Sequence, residues 1–245
     1  MEMDEPKVSF AEITILVPTW NRRKFLGLFL MNVKNQDYPH EKLKLIIDDD
    51  GDEKFINDIK KVEEYLHPIK VKYINNKPRR SIGKKRNDLI KECKTKIFCF
   101  MDDDDVYFST YISHSYTVMK NKKVGCVGSD KMLFCMTDRN FDIHAIDCGN
   151  RASLIHEATL MMTYKYYRAS CRFGDNSAGE GKNIFVGHER SVAISDIMKI
   201  MCCVQHGENT IDKLQFAKDE NKLNIRLDPE CENILKQILF KKETI

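Results

Sequence analysis

Three charged clusters hold most of the chemistry this chain could do. Asp102 to Asp105 are four consecutive carboxylates that follow the apolar stretch KIFCFM and lead back into aromatics. Asp48, Asp49 and Asp50 follow a second apolar stretch, LKLII, and end at Gly51. Between the two acid runs lies KPRRSIGKKRN, with six basic residues from Lys77 to Arg86. Carboxylates a few ångströms apart raise each other's pKa and destabilise a fold unless a cation offsets them. Hard divalent cations such as Mg²⁺ and Mn²⁺ prefer such oxygens and often share their coordination sphere with substrate phosphates. The run at 102–105 therefore fits a metal–diphosphate site at the end of a strand. A solvated acidic turn ahead of a helix is the simpler alternative. Likewise, the 48–50 run could be only a turn, and the basic cluster only a solvated face.

Periodicity shows what must position these clusters. Glu12 to Val17, Leu43 to Ile47, Ile69 to Ile74 and Lys96 to Met101 read as strands. Apolar residues at helical spacing predict helices over Arg22–Gln36 with Asn21 as N-cap, Phe55–Leu66 and Ile82–Cys93. Strands alternating with helices about every 30 residues mark βαβ units and a mostly parallel sheet, an α/β fold. Ligands of such sheets bind beyond the carboxyl ends of the strands, so the three clusters should meet in one cleft. Past residue 110 the pattern weakens. It suggests a helix over Tyr111–Lys120 and strands over Val124–Val127, Lys131–Met136, Ala158–Tyr164 and Ile200–Gln205. Cys171 to Asn183 reads as a loop, Ser195–Lys199 as a helix or turn, and Pro229–Lys242 as a closing helix. No repeat or linker interrupts the chain, so one domain over 1–245 is the simplest organisation.

Bulk properties narrow the classes. The 245 residues are 42% hydrophobic and 31% charged, values of an ordinary globular protein. A net charge of +3 gives no electrostatic case for a nucleic-acid partner. The acidic start lacks the pattern of a secretory signal, and no apolar run approaches the ~20 residues of a membrane span. Nine cysteines, an odd number without a CxxC pair, suit buried thiols in a reducing compartment, and the cytoplasm fits.

Taken in order, VPTWNR, IIDDDG, SIGKKRN and FMDDDD resemble the nucleotide-sugar glycosyltransferases of the GT-A fold, inverting family two type. The resemblance implies a Rossmann-like, mostly parallel sheet flanked by helices. It makes 1–110 the nucleotide-sugar-binding half and 111–245 a smaller acceptor-side half. It implies that Pro18, Thr19 and Asn21 line the base, that Asp49, backed by Asp50, bonds the uracil edge, and that Gly83, Arg86 and Asn87 flank the nucleoside and diphosphate. Arg79 joins them from the basic cluster. Asp102 and Asp104 match the two acids of DxD, with Asp104 the direct metal ligand and Asp102 and Asp103 facing the nucleotide sugar. The register within four identical residues stays open by one. In the second half, Gly179 and Glu180 match a Gly-Glu-Asp segment that supplies the catalytic base, but Gly181 stands where the Asp belongs. His206 matches a histidine that approaches the metal.

On this reading the reaction needs Mn²⁺ or Mg²⁺ and basic residues to stabilise the departing diphosphate. It also needs a carboxylate to take the acceptor hydroxyl's proton, a role that falls to Glu180, with Asp175 of the same loop as the alternative. The partners are a nucleotide diphosphate sugar, UDP-linked on the Asp49 assignment, and a glycan, protein or small-molecule acceptor. Two other classes share these features: a non-catalytic nucleotide-sugar-binding protein and a sugar nucleotidyltransferase. The second usually carries a glycine-rich loop after its first strand, where this chain has VPTWNRRKF.

Overall fold

The computed structural model describes residues 10–147, 154–170, 172–209, 214 and 218–240. Among these, strand β1 (Ile13–Thr19) lies at the middle of a seven-stranded sheet. Parallel to it run β2 (Leu43–Asp49) on one side and β4 (Ile97–Phe100) on the other, and β3 (Lys70–Asn75) extends the β2 edge. Beyond β4, the antiparallel β9 (Met161–Thr163) connects to β6 (Cys126–Gly128), which pairs in parallel with β10 (Val192–Ile194). The order β10-β6-β9-β4-β1-β2-β3 is the expected mixed α/β architecture with a mostly parallel central sheet.

Alternation along the central strands divides the core. Ile13, Ile15 and Val17 join one apolar cluster with Leu28 and Phe29 of helix α1 (Leu26–Lys34). Leu16, Phe98 and Phe100 join another with Leu89 and Ile90 of helix α3 (Ile82–Glu92). Helices thus cover both faces, which is why these strands read as continuous apolar runs.

A second, five-stranded sheet contains two strands expected from sequence, those over Lys131–Met136 and Ile200–Gln205, and three that are not evident there. It comprises β5 (Val106–Tyr107), β7 (Lys131–Met136), β8 (Asp142–Asp147), β11 (Met201–Gln205) and β12 (Lys222–Leu223). The polar alternation of β8, DIHAID, hides that strand. Helix α4 (Tyr111–Lys122) precedes β6, and helix α6 (Pro229–Phe240) closes the described chain with Leu235 buried.

Four local expectations are corrected. Asn21 is not a helix cap. It adopts a left-handed backbone (φ 52°), and its side-chain oxygen accepts the Asp52 amide at 2.7 Å, tying two strand-end loops together. The helix after it begins at Leu26, behind a 3-10 turn. Helix α2 (Ile59–Leu66) starts at Ile59, not Phe55, because the Phe55 and Ile56 amides donate instead to Asp49 and Tyr73. The stretch expected as a strand over Ala158–Tyr164 is a 3-10 turn (Glu157–Thr159), a short strand, and helix α5 (Tyr164–Ala169) capped by Thr163. In the Cys171–Asn183 loop, Cys171 lies outside the described residues.

Candidate active site

Beyond the carboxyl ends of β1 and β4 opens a cleft of about 270 Å³. Of the residues singled out in sequence, Pro18, Arg79, Arg86, Asp102, Asp103, Asp104 and Glu180 line it. Thr19, Asn21, Asp49, Asp50, Gly83, Asn87 and His206 are not among its lining residues. Trp20, Arg22, Arg80, Lys85, His156 and Glu157 line it as well and were given no role from sequence.

The first acid run is closed on itself. Asp49 is fully buried; its Oδ1 accepts the Gly51 amide and its Oδ2 the Phe55 amide, both at 2.8 Å, and the Tyr73 hydroxyl also donates to Oδ2. Asp50 accepts Lys85 Nζ at 2.8 Å and the Arg80 amide at 2.6 Å. Asp48 takes Arg80 Nη2 at 2.6 Å, while burial pushes its carboxyl above the usual range. The basic cluster thus sends Arg80 and Lys85 to neutralise this run. Arg79 instead lies 3.5 Å from the Trp20 ring centroid, a cation–π pair on the cleft wall.

The rest of the SIGKKRN motif works as a scaffold. Gly83 donates its amide to Asn176 O at 2.9 Å, and a Cβ there would come within 1.8 Å of Gly174 O. Asn87 donates to Phe173 O at 2.9 Å and accepts from Tyr167 at 2.8 Å. Ser81 caps α3 and binds Asp175. Together they hold the 173–180 segment, and with it Glu180, against α3.

The second run is arranged differently. Arg86 Nη2 lies 3.2 Å from Asp102 and Arg86 Nε 3.0 Å from Glu180. Burial works against the Arg86 charge, yet Asp102, Glu180 and Glu157 outweigh it and its pKa sits above the ordinary value. Asp104 Oδ2 meets Arg22 Nε at 3.2 Å and His206 Nε2 at 3.1 Å. The Glu208 amide donates to His206 Nδ1 at 3.2 Å, and Asn209 Nδ2 lies 2.9 Å from Nε2, so the ring is held on both nitrogens beside Asp104. Asp105 accepts the Val204 amide at 2.8 Å and so joins this loop to β11. His156 is kept neutral, its pKa pushed down to about 4 by burial.

Among the residues lining this cleft, three buried atoms have no hydrogen-bond partner: Asp103 Oδ2, Arg86 Nη1 and Arg80 Nε, the last 3.7 Å from the Asp50 carboxylate. Burial, with Asp104 beside it, pushes the Asp103 carboxyl well above the carboxylate range. An orphaned acceptor asks for a proton or a cation, and an orphaned guanidinium N–H for an anion. Carboxylate oxygens suit Mg²⁺ or Mn²⁺, so the residues present fit such an ion. Among the described residues no three His, Cys, Asp or Glu side chains form a ready-made metal cage.

Residues 14–180 match the model of glycosyl transferase family 2, well over half of the chain. The chain belongs to glycosyl transferase family 2. Solved structures agree on its GT-A fold. The 1–349 fragment of TarS from S. aureus superposes with a TM-score of 0.63 at 15% identity, covering 79% of this chain and 60% of that one. The same fragment in complex with UDP-GlcNAc gives 0.59 at 13% identity, over 93% and 65%. The mannosyltransferase PcManGT from Pyrobaculum calidifontis, in complex with GDP-Man and Mn²⁺, gives 0.60 at 15%, over 81% and 57%. This family 2 chain therefore spans about 60% of the first of these relatives. Comparison with curated proteins gives no match.

For this family 2 member, Glu157 had no signal of its own in the sequence; the one hint was the glycine at 181. No described helix is long and apolar enough to cross a membrane. Cys93, Cys99, Cys126, Cys135, Cys202, Cys203 and Cys231 are free thiols, whereas Cys148 and Cys171 lie outside the described residues.

Proposed function

We propose that this protein transfers a sugar from a nucleotide diphosphate sugar, a UDP-sugar, to an acceptor hydroxyl with inversion, using Mn²⁺ or Mg²⁺. The observation that carries the reading is that two orphaned buried atoms of opposite charge, Asp103 Oδ2 and Arg86 Nη1, belong to residues lining one cleft. A diphosphate with a divalent cation answers both at once. Similar structures in complex with UDP, with UDP-GlcNAc, and with GDP-Man and Mn²⁺ support the same chemistry.

In this reading Pro18, Trp20 and Arg79 form the wall on which the base rests. Thr19, Asn21, Asp49 and Asp50 act through the loops they fix. Arg86 and Arg22 balance charge on the diphosphate, and Gly83 and Asn87 hold the acceptor-side segment. Asp104, Asp102 and His206 would hold the metal, with Asp103 beside them. When bound, the ion supplies positive charge to the leaving diphosphate. The acceptor hydroxyl must lose its proton as its oxygen bonds the anomeric carbon, and the C1–O bond to the diphosphate breaks with its electron pair leaving on phosphate. Glu180, in the cleft and 5% exposed, is the residue to which the sequence assigns that proton. Residues 1–245 would act as one domain, 1–110 for the donor and 111–245 for the acceptor. The free thiols suit the cytoplasm.

Calorimetry of UDP with Mn²⁺ should show binding that EDTA weakens. Incubation with UDP-glucose, UDP-GlcNAc and GDP-mannose should release nucleoside diphosphate from one of them. A protein that binds none of these nucleotides and releases none would overturn the reading.

A further inference from the structure

Glu157 occupies the place that Gly181 leaves empty. A Cβ built on Gly181 would come within 2.7 Å of Glu157 Cγ and 2.9 Å of Glu157 Oε1. The glycine is therefore not a simple loss of an acid from the 179–181 segment. It makes room for a carboxylate that enters from another part of the chain. Glu157 Oε1 accepts the Gly181 amide at 2.9 Å, which fixes the carboxylate against the segment that carries Glu180.

The other acids of the cleft have commitments. Asp102 and Glu180 share the Arg86 guanidinium, and Asp104 is held by Arg22 and His206. Asp105 is tied to the β11 backbone, and Asp103 lies inside the acid run assigned to the diphosphate. Among the described residues, Glu157 has no salt bridge, and its Oε2 makes no hydrogen bond.

Topology puts Glu157 on the required side. β9 runs antiparallel to β4 with Met161 opposite Cys99, so the turn before β9 lies beyond the carboxyl end of β4. β1, β2 and β3, whose loops form the donor wall, lie on the other side of β4. The turn is also braced against the acid run. The Tyr107 hydroxyl donates to Ala158 O at 3.0 Å and accepts the Asp102 amide at 2.9 Å. A carboxylate on this turn is thus held at a set distance from Asp102, facing the donor from the acceptor side.

We propose that Glu157, not Glu180, is the general base of the transfer; this rests on the glycosyl-transfer reading above. Glu157 Oε2 takes the acceptor hydroxyl's proton as the acceptor oxygen bonds the anomeric carbon. The C1–O bond to the diphosphate breaks, and its electron pair leaves on the nucleoside diphosphate. The neutral Glu157 then returns its proton to water. Glu180 is a positioning residue, which holds the Arg86 guanidinium towards the diphosphate.

The test compares Glu157→Gln, Glu157→Ala and Glu180→Gln in the full chain, with UDP-glucose, UDP-GlcNAc and GDP-mannose as donors and Mn²⁺ present. Water and azide serve as alternative acceptors. Gln at 157 keeps an oxygen for the Gly181 amide, so fold and UDP affinity should stay at wild-type levels by thermal melting and calorimetry. Glu157→Gln should lower donor hydrolysis by about 10²–10⁴-fold, the usual range for a general base, and remove the acidic limb of the pH profile. Glu180→Gln should keep that limb. Azide carries no proton, so Glu157→Ala should form glycosyl azide at close to the wild-type rate while its hydrolysis stays low. A merely structural role would depress both reactions alike. Glu157→Gln hydrolysing at the wild-type rate, or azide failing to separate the two reactions, would overturn the assignment and leave the transfer reading standing. A wild-type protein that releases no nucleoside diphosphate from any donor would overturn both.

Discussion

The two aspartate runs, 48–50 and 102–105, end neighbouring strands on either side of β1, yet the fold treats them oppositely. In the first, every carboxylate is matched: Asp49 by backbone amides and Tyr73, Asp50 by Lys85, and Asp48 by Arg80. In the second, Asp103 keeps a buried oxygen without a partner, and one Arg86 guanidinium answers both Asp102 and Glu180. A saturated acid run is a structural joint. A run left short of positive charge stores a demand for a ligand that brings some.

The contrast breaks first at Asp104. Asp104→Ala should lower nucleoside diphosphate release by more than about 10²-fold, the scale of losing a charge-stabilising group, with little change in melting temperature. Full turnover of that variant in EDTA would place both runs in the structural class.

Asp50→Ala should do the reverse. It strands the buried Lys85 ammonium, and breaking such a pair costs about 3–5 kcal/mol, readable as a lower urea midpoint. An unchanged midpoint would mean that the first run is no joint.

Gly83→Ala sharpens the scaffold role of α3. Its Cβ meets the Gly174 backbone, so about 1–3 kcal/mol of stability should be lost through overpacking, and proteolysis within 173–180 should quicken. A variant as stable and as resistant as wild type would show that this segment is not held by α3.

The smallest effect concerns Asp103. Its carboxyl pKa is raised on folding, so the native state holds its proton more tightly than the unfolded chain does. That opposes folding once pH rises above the unfolded value, near 3.9, and the penalty vanishes below it. Asp103→Asn should therefore raise the melting temperature of the metal-free protein at neutral pH, and the gain should shrink as pH falls towards 4. Lower stability at neutral pH would mean that the charge is already satisfied.

Much of this molecule was legible along the chain. The four parallel strands, α1, α3 and the meeting of charged clusters at one sheet end follow from local periodicity. Side chains repeat every two residues in a strand and every 3.6 in a helix, and connections of that length bring strand ends to the same edge. Strands β5, β8 and β12 of the second sheet were not legible, since segments of two to six residues with polar alternation have too little pattern to stand out.

Tertiary structure alone decided what each acid does. Asp49 and Asp103 have the same side chain and similar positions at strand ends, and their roles diverge through what packs against them. For Asp49 these are Tyr73 and the amides of its own loop; for Asp103 no partner reaches Oδ2. Gly181 likewise reads in one dimension as a missing acid, and only the return of the chain through residue 157 shows the space filled. Identity and spacing establish that charge gathers at an edge. Whether that charge is neutralised depends on contacts between residues far apart in sequence, because Coulomb and hydrogen-bond energies follow distance and burial.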